Sequence, residues 1–231
     1  MPGRFAQLEI DVPDPPDAAA FWASLLDWTT VGADSGMGVV RPPVSDGCPW
    51  DLVFLKENAA KRRKNRLHLD LASGSPEHQT ALVAWARKLG ARSADIGQGD
   101  AELPWVVLAD PWGTEFCVLE PRADYHGSGA LAALVIDSRD PPALARYWAT
   151  ATGWTVGHTA SDYAGLRAPG GRGPWLEFVR DTADARQGRN RVRPVLLPGD
   201  GEHASADPEG NEIVLLHSGD DPDSHFPAKK R

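Results

Sequence analysis

Polar and apolar side chains alternate along residues 6–12, so that one face is apolar and the other carries Gln7, Glu9 and Asp11. A period of two is typical of a β-strand with one buried face. Directly afterwards, Asp14 precedes two prolines and another acidic residue. Because such residues cap and begin helices, the chain is predicted to open with a strand followed by a helix.

The rest of the first half continues this mixture of strands and helices. Residues 66–72 also alternate and present Arg66, His68 and Asp70 on their polar face. A second helix is predicted to end at Gly90, after cationic residues that suit its last turn. Further short strands are predicted near residues 37–41, 50–56, 104–109 and 114–119.

The first half of the chain is repeated in the second half. Trp28 recurs as Trp154, 126 positions later, within a matching helix pattern. The later landmark Asp110 recurs as Asp207, only 97 positions later. The second copy has therefore lost residues between these landmarks, and the missing interval holds the second helix of the first copy.

The repeat divides the chain into four predicted parts. Residues 1–122 form a full domain of two βαβββ units, and residues 123–129 form a linker. Residues 130–218 form a shortened second domain, and residues 219–231 form a tail that is expected to be disordered. The predicted fold class is α+β, built from tandem βαβββ modules whose sheets are mostly antiparallel.

Composition limits the classes of partner. The chain of 231 residues is 42% hydrophobic and 24% charged, as in ordinary globular proteins. Its net charge of -8 argues against nucleic acid or an anionic membrane as partner, since both require clustered cations. Two cysteines, Cys48 and Cys117, make no disulfide framework. No segment is typical of a signal peptide or a membrane span, so a cytoplasmic location is expected.

Three motifs, in order, resemble the glyoxalase-like and bleomycin-resistance-like domains of the vicinal oxygen chelate superfamily. They are NRLHLDL at 65–71, LGA at 89–91 and DPWGTEFCV at 110–118. The resemblance covers nearly all of the first copy and, more weakly, the second. It implies paired modules that curl into open half-barrel sheets, with helices on the convex side and a small-molecule site on the concave side.

The resemblance also implies where a metal would bind, because metal-dependent members take His and Glu ligands from four strand positions of a domain. In the first copy these positions fall on Gln7, on His68, on Cys117 and on either Asp51 or Leu52. In the second copy they fall on Ala133, Arg193 and Val214, with Glu177 nearby. Since catalytic metal sites normally use three protein ligands, we predict no tightly bound metal and no cofactor.

The polar faces of the two alternating strands are expected to meet in one cavity of the first domain. His68, Asp70 and Glu9 are then the candidate catalytic residues. A carboxylate beside a histidine orients the ring and raises its pKa, which suits acid or base catalysis near neutral pH. The alternative is that His68 and Asp70 only satisfy each other on a solvated sheet face.

Further side chains are candidates for binding a ligand. Aromatic walls hold flat apolar ligands, although core packing is the alternative for each tryptophan. Cys117 is interpreted as a small wall residue rather than a nucleophile. Arg193 is either a partner for a carboxylate or phosphate group or one half of a surface salt bridge. The ligand-binding candidates are Gln7, Asp11, Asp51, Trp50, Trp105, Trp112, Cys117 and Arg193.

Three classes of function remain open on the sequence alone. The first is a metal-independent protein that binds an aromatic or carbonyl-bearing metabolite, with His68 as candidate acid or base, and that acts as a lyase or isomerase if it is an enzyme. The second is a drug-sequestering protein of the bleomycin-resistance kind without catalysis. The third is a metal-dependent lyase, isomerase or dioxygenase. The two copies are expected to pair as an intrachain pseudo-dimer, and pairing of two chains as a homodimer stays open.

Overall fold

The computed structural model describes residues 1–96, 103–181, 188–199 and 204–216. The first copy consists of two consecutive βαβββ modules. The first module contains β1 (Arg4–Val12), α1 (Pro15–Leu26), β2 (Thr29–Ala33), β3 (Met37–Arg41) and β4 (Asp51–Lys56). The second module contains β5 (Leu67–Leu71), α2 (Pro76–Lys88), β6 (Arg92–Ser93), β7 (Val106–Ala109) and β8 (Glu115–Val118).

The second copy keeps one full module and a remnant of another. A short 3₁₀ helix, Ala123–Tyr125, leads into it. Its full module contains β9 (Leu131–Ser138), α3 (Pro141–Thr152), β10 (Thr155–Thr159), β11 (Tyr163–Arg167) and β12 (Trp175–Arg180). After β12, the described residues form β13 (Val192–Leu197) and β14 (Val214–Leu215) and no helix. The predicted α+β fold of tandem modules with a shortened second copy is confirmed.

The strands form two sheets, and each sheet combines modules from both copies. Sheet A has the strand order β14-β13-β1-β4-β3-β2. Sheet B has the order β10-β11-β12-β9-β5-β8-β7-β6. In sheet A, β1 pairs with β13 of the second copy, and in sheet B, β5 pairs with β9 of the second copy.

This topology corrects the expectation of a single cavity within residues 1–122. The polar faces of β1 and β5 lie in different sheets, so the side chains of Glu9 and Asp70 do not meet in one site. Strand alternation identifies which face of a strand is polar, but it carries no information about the strand that pairs with it. The candidate residues of the two strands must therefore be considered separately.

Side-chain caps explain why α1 and α3 begin at equivalent positions. The Asp14 carboxylate accepts a hydrogen bond from the backbone N–H of Asp17 at 3.3 Å. The Asp140 carboxylate accepts the equivalent bond from Ala143 at 3.1 Å. Both helices have proline in their first turn, where no N–H donor is needed. The predicted helix start at Asp14 is confirmed.

A second repeated contact joins each of these helices to the last hairpin of its copy. The indole N–H of Trp22 donates to Asp110 at 3.1 Å, and that of Trp148 donates to Asp207 at 3.2 Å. All four side chains are buried. Asp110 and Asp207 also accept backbone hydrogen bonds within their own turns. These tryptophans and aspartates are therefore structural, as their recurrence in the repeat indicates.

The apolar faces of the alternating strands lie in one hydrophobic core together with residues of the helices. Ile10 of β1 and Leu67 of β5 are both buried there. The opposite faces of sheets A and B carry the polar side chains. None of the described helices is both long enough and apolar enough to cross a lipid bilayer.

Candidate functional site

A cavity of about 780 Å³ lies on the polar face of sheet B. Its floor comes from β5 and β8 of the first copy and from β9 and β12 of the second copy. The predicted position within the first domain alone is therefore wrong. The strands that meet here are those that carry His68, Cys117, Val135 and Glu177.

Three polar side chains form a cluster on this floor. His68 and Asp70 are two residues apart on β5 and so share one face, and Asp70 is opposite Cys117 in the parallel pairing of β5 with β8. The Nε2 atom of His68 lies 3.4 Å from Oδ1 of Asp70. One ligand atom of each of the three residues lies within 4.8 Å of the others. This distance allows all three to contact one group of a bound molecule.

Burial moves the proton affinities of His68 and Asp70 in opposite directions. Burial and then the charge of Lys64 lower the pKa of His68 to about 4. Burial and then the charge of Glu177 raise the pKa of Asp70 to about 7. The expectation that the carboxylate would raise the pKa of His68 is wrong, because loss of solvent outweighs the pairing. Near neutral pH the imidazole is neutral and Asp70 exchanges its proton readily.

Cys117 fits a wall rather than a nucleophile. Burial and the neighbouring Asp70 carboxylate raise the pKa of the Cys117 thiol well above its ordinary value. A thiol becomes a nucleophile only as the thiolate, which a neighbouring cation or base must stabilise. His68 is neutral here, so the thiol keeps its proton and acts as a weak donor.

Glu177 of β12 is a second buried carboxyl group in the cavity. The Tyr125 hydroxyl donates to its Oε1 atom at 3.1 Å, and the Tyr163 hydroxyl also donates to this carboxylate. Burial raises the pKa of Glu177, while the two hydroxyl donors act in the opposite direction. Both tyrosine pKa values are raised, first by burial and then by the charge of Glu177.

Aromatic side chains form the walls of the cavity. Trp175 packs against the imidazole of His158, with 5.0 Å between ring centroids. The Arg122 guanidinium lies 5.7 Å from the ring of Trp105 and 5.8 Å from that of Tyr125. Trp105, a predicted wall residue, lines the cavity, and its role in ligand binding stays a prediction.

Opposite charges surround Lys64 in the lining of the cavity. The Lys64 ammonium group lies 3.0 Å from a carboxylate oxygen of Asp137 and 2.7 Å from one of Asp181. Burial raises the pKa of Asp137 to about 6, although the charge of Lys64 opposes this change. This ion cluster leaves the charge of Lys64 compensated by the chain itself.

Sheet A carries a different arrangement at the corresponding strand positions. Arg193 of β13 is 2% exposed, and its guanidinium donates to Glu9 at 2.8 Å and to Asp11 at 2.8 Å. The suggested surface salt bridge is thus a buried one. None of these three residues lines the cavity, and neither does Gln7 of the same strand face. Their roles in catalysis or ligand binding are not supported by their position.

The other predicted ligand-binding residues also lie away from the cavity. Asp51 of β4 forms a salt bridge with Arg41 at 2.7 Å on sheet A. Trp50 is buried against Phe5, with 4.4 Å between ring centroids. Trp112 packs edge-on against the core residue Phe21 at 6.3 Å. Among the predicted site residues, the structure brings together His68, Asp70, Cys117 and Trp105.

The cluster of His68, Asp70 and Cys117 also fits a divalent cation. It offers nitrogen, oxygen and sulfur donors, which is the number and type of protein ligands in catalytic zinc sites. Asp70 Oδ1 is buried and has no hydrogen-bond partner among the described residues, and a bound cation would satisfy it. A metal held here would act as a Lewis acid on an oxygen of a bound molecule. The prediction of no tightly bound metal stays a prediction.

Sequence reasoning missed several residues of this site. Tyr125 belongs to the predicted linker, and Tyr163 lies on a strand that was not considered for the site. Glu177 was noted only as a metal ligand of the second copy. The repeat gave a usable signal for Glu177. It aligns β12 with β4, and β12 pairs with β9 as β4 pairs with β1, so Glu177 lies beside β9.

The pairing of βαβββ modules into two open sheets, with a cavity on the polar face of one of them, defines a protein of the vicinal oxygen chelate type. The family model for the glyoxalase-like domain matches residues 7–119 and 133–206. The chain therefore belongs to the glyoxalase-like domain family. No curated protein sequence matches it.

Solved structures share this architecture at low sequence identity. Glyoxalase I from Zea mays is 14% identical, with a TM-score of 0.60, and the match covers 92% of this chain and 92% of that chain. A mutant of the same protein is 14% identical with a TM-score of 0.62, covering 92% and 93%. A glyoxalase/bleomycin resistance protein from Albidiferax ferrireducens is 21% identical with a TM-score of 0.38, covering 51% and 98%. At these identities the likeness to the Zea mays structures shows the fold.

Proposed function

We propose that the chain binds a small aromatic or carbonyl-bearing molecule in the sheet B cavity and exchanges a proton with it through His68 and Asp70, without a metal. The observation that carries this proposal is the position of the pair on the floor of a cavity with aromatic walls. The volume of about 780 Å³ lies within the range of small-molecule sites. Membership of a small-molecule-binding superfamily supports the same class of ligand.

The proton affinities support acid or base chemistry at Asp70 more than at His68. A catalytic acid or base works best when its pKa lies near the working pH, and the pKa of Asp70 is about 7. The neutral imidazole of His68 can donate a hydrogen bond to a carbonyl oxygen while Asp70 removes a proton from the neighbouring carbon. This division of roles is that of an isomerase or lyase, and it requires no redox partner.

The experiment uses untagged protein treated with a chelator. A panel of aromatic and carbonyl compounds is screened by quenching of tryptophan fluorescence, and the compounds that bind are tested for turnover. Asp70→Asn should lower turnover by about a hundredfold, the scale of a lost general base, while binding changes much less. Asp17→Asn, on the exposed surface of α1, is the matched control and should behave like the parent.

Two outcomes would contradict the proposal. A panel in which nothing binds would remove the small-molecule function. Compounds that bind without turnover, with Asp70→Asn changing affinity alone, would assign a sequestering protein of the drug-binding kind and remove the catalytic part.

A metal-dependent reaction is the second candidate, because three donor atoms meet at His68, Asp70 and Cys117. It predicts stoichiometric zinc, nickel, manganese or iron in untagged protein. Cys117→Ala should then lower the metal content, whereas Cys48→Ala should not, since Cys48 lies outside the cluster. Metal-free protein that turns over a substrate would contradict this candidate.

The organisation of the sheets supports an intrachain pseudo-dimer. Each sheet pairs a module of the first copy with strands of the second copy, so one chain supplies both halves of the cavity. We therefore propose that a single chain is the functional unit, in the cytoplasm. Sedimentation analysis tests the first point, and a functional site that forms only in a homodimer would contradict it.

A further inference from the structure

The cationic side chains of the cavity lining already have partners within the chain. Lys64 is paired with Asp137 and Asp181, at 3.0 and 2.7 Å. Arg122 is paired with Glu120, a residue that does not line the cavity. The Arg180 guanidinium donates to the backbone carbonyls of Arg139 and Ser161. In the described residues, the ion pairs and hydrogen bonds of these cations go to groups other than Asp70 and Glu177, and only the charge of Arg122 acts on both carboxyl groups from a distance.

Two carboxyl groups of the lining have no Lys or Arg partner among the ion pairs of the described residues. Asp70 is 7% exposed, and its Oδ1 atom has no hydrogen-bond partner in the described part of the chain. Its partner among the ion pairs is the imidazole of His68, whose Nε2 atom lies 3.4 Å from Oδ1. Glu177 is 4% exposed and receives hydrogen bonds from tyrosine hydroxyl groups, which carry no charge of their own. An unpartnered buried carboxylate is costly unless a bound group compensates it.

Val135 is the β9 side chain that lines the cavity between the strands of these carboxyl groups. In the sheet, β9 lies between β5 and β12, with Ala133 opposite Asp70 and Val135 opposite both His68 and Glu177. The strands that carry Asp70 and Glu177 are two strand spacings apart, about 10 Å. Acidic side chains that extend from both strands can reach a small group placed over β9.

Sheet A fills the corresponding position with a cation of the chain itself. Arg193 of β13 is opposite Glu9 of β1, as His68 is opposite Val135 in sheet B. The guanidinium there is buried between the carboxylates of Glu9 and Asp11. Sheet B has buried carboxyl groups in the same region but a histidine, which does not bridge two carboxylates there, in place of the arginine.

We infer that the ligand of the sheet B cavity carries a protonated amine, which lies over Val135 and donates hydrogen bonds to Asp70 and Glu177. The inference rests on the proposed small-molecule function and names the class of its ligand. An alkylammonium group has three donors, so it can satisfy Asp70 Oδ1 and Glu177 together.

The test compares three compounds of nearly equal size and different charge: benzylamine, benzyl alcohol and benzoate. Chelator-treated full-length protein is titrated with each by calorimetry and by ligand-observed NMR at pH 7.5. The amine should bind at least about tenfold more tightly than the alcohol, a difference of about 1.4 kcal/mol, and benzoate should bind most weakly.

Matched carboxylate-to-amide variants locate the selectivity. Asp70→Asn and Glu177→Gln should each reduce the preference for the amine to about threefold or less while affinity for benzyl alcohol is kept. Asp17→Asn and Glu77→Gln, both exposed on helices, make the same chemical change and should keep the preference.

The outcomes separate this inference from the proposed function. Equal or tighter binding of the alcohol or benzoate would overturn the inference and leave a small-molecule cavity. If neutral compounds of the wider panel bind but none of these three compounds does, the inference is also overturned and the small-molecule function is kept. If no compound binds at all, the proposed function is removed as well. Amine binding that requires added Zn²⁺ would also overturn it, because the metal would then supply the positive charge.

Discussion

Sheets A and B place different side chains at equivalent positions of one repeated scaffold. In sheet A, Glu9 of β1 is opposite Arg193 of β13, and the two form a buried salt bridge. In sheet B, Val135 of β9 is opposite His68 of β5. A long acidic and a long basic side chain in sheet A thus correspond to an apolar side chain and an imidazole in sheet B.

The acidic side chain also lies on different strands of the two sheets. In sheet A the acidic Glu9 lies beside Val53 of β4, whereas in sheet B the apolar Val135 lies beside Glu177 of β12. In sheet A the charged side chains therefore pair with one another in a buried network. In sheet B the buried polar side chains surround an open cavity. Buried titratable groups in a cavity are typical of functional sites, and fully paired ones are typical of structure.

Removal of the cation from sheet A should have the largest effect. Arg193→Met leaves the buried carboxylates of Glu9 and Asp11 without their main partner and should destabilise the fold by about 3–5 kcal/mol. Chemical denaturation measures this change. Ligand affinity of the folded fraction should be unchanged, because Arg193 does not line the cavity. A loss of stability below about 1 kcal/mol would show that the salt bridges of Arg193 with Glu9 and Asp11 contribute little to the fold.

Transfer of the sheet A pair into sheet B should close the cavity. The double variant Val135→Glu with His68→Arg reproduces the Glu9–Arg193 pair at the equivalent place and fills the space above β9. Affinity for any compound that binds the parent should fall by about a hundredfold, close to 2.7 kcal/mol. Calorimetry with the same compound measures this change. Unchanged affinity would mean that the ligand does not bind over β9.

Asp70 should make stability depend on pH in a predictable direction. Its pKa is about 7 in the folded chain, against about 4 for an exposed aspartate, so the unfolded chain releases the proton first as pH rises. The free energy of unfolding therefore decreases as pH rises from about 4 to about 7. In chelator-treated protein, Asp70→Asn should raise the free energy of unfolding by about 1–3 kcal/mol at pH 8 and by little at pH 4. An equal change at both pH values would contradict this account.

His68 should give a smaller effect of the opposite sign. Its pKa is about 4 in the folded chain, against about 6.5 when exposed, so the unfolded chain binds a proton first as pH falls. The stability of the buried neutral ring is complete above about pH 6.5 and is lost as pH falls towards 4. His68→Gln should reduce the loss of stability between pH 7 and pH 4.5 by about 1–2 kcal/mol, measured by urea denaturation. A variant as acid-sensitive as the parent would contradict the assignment.

Local features of the sequence predicted the modules well. The alternation of β1 and β5, the Asp-Pro helix starts and the recurrence of Trp22 as Trp148 depend on residues close in sequence, and the structure confirms the elements that they predict. The shortened second copy also followed from the spacing of the repeat.

The candidate site was predicted only in part, because its geometry depends on pairing between distant strands. Nothing in the alternation of β1 shows that it pairs with β13, so Glu9 was wrongly grouped with His68. The burial of Arg193 and the lowered pKa of His68 depend on the surrounding packing, which a single sequence does not contain. Tyr125 was missed because a linker residue gives no periodic signal.

Sheet B, and not sheet A, is proposed to carry the ligand site. The most direct measurement is a crystal structure of the full chain soaked with a compound that quenches its tryptophan fluorescence. Ligand density is expected over Val135, between the aromatic walls and in contact with Asp70. Ligand density on the polar face of sheet A, or anywhere outside the sheet B cavity, would contradict it.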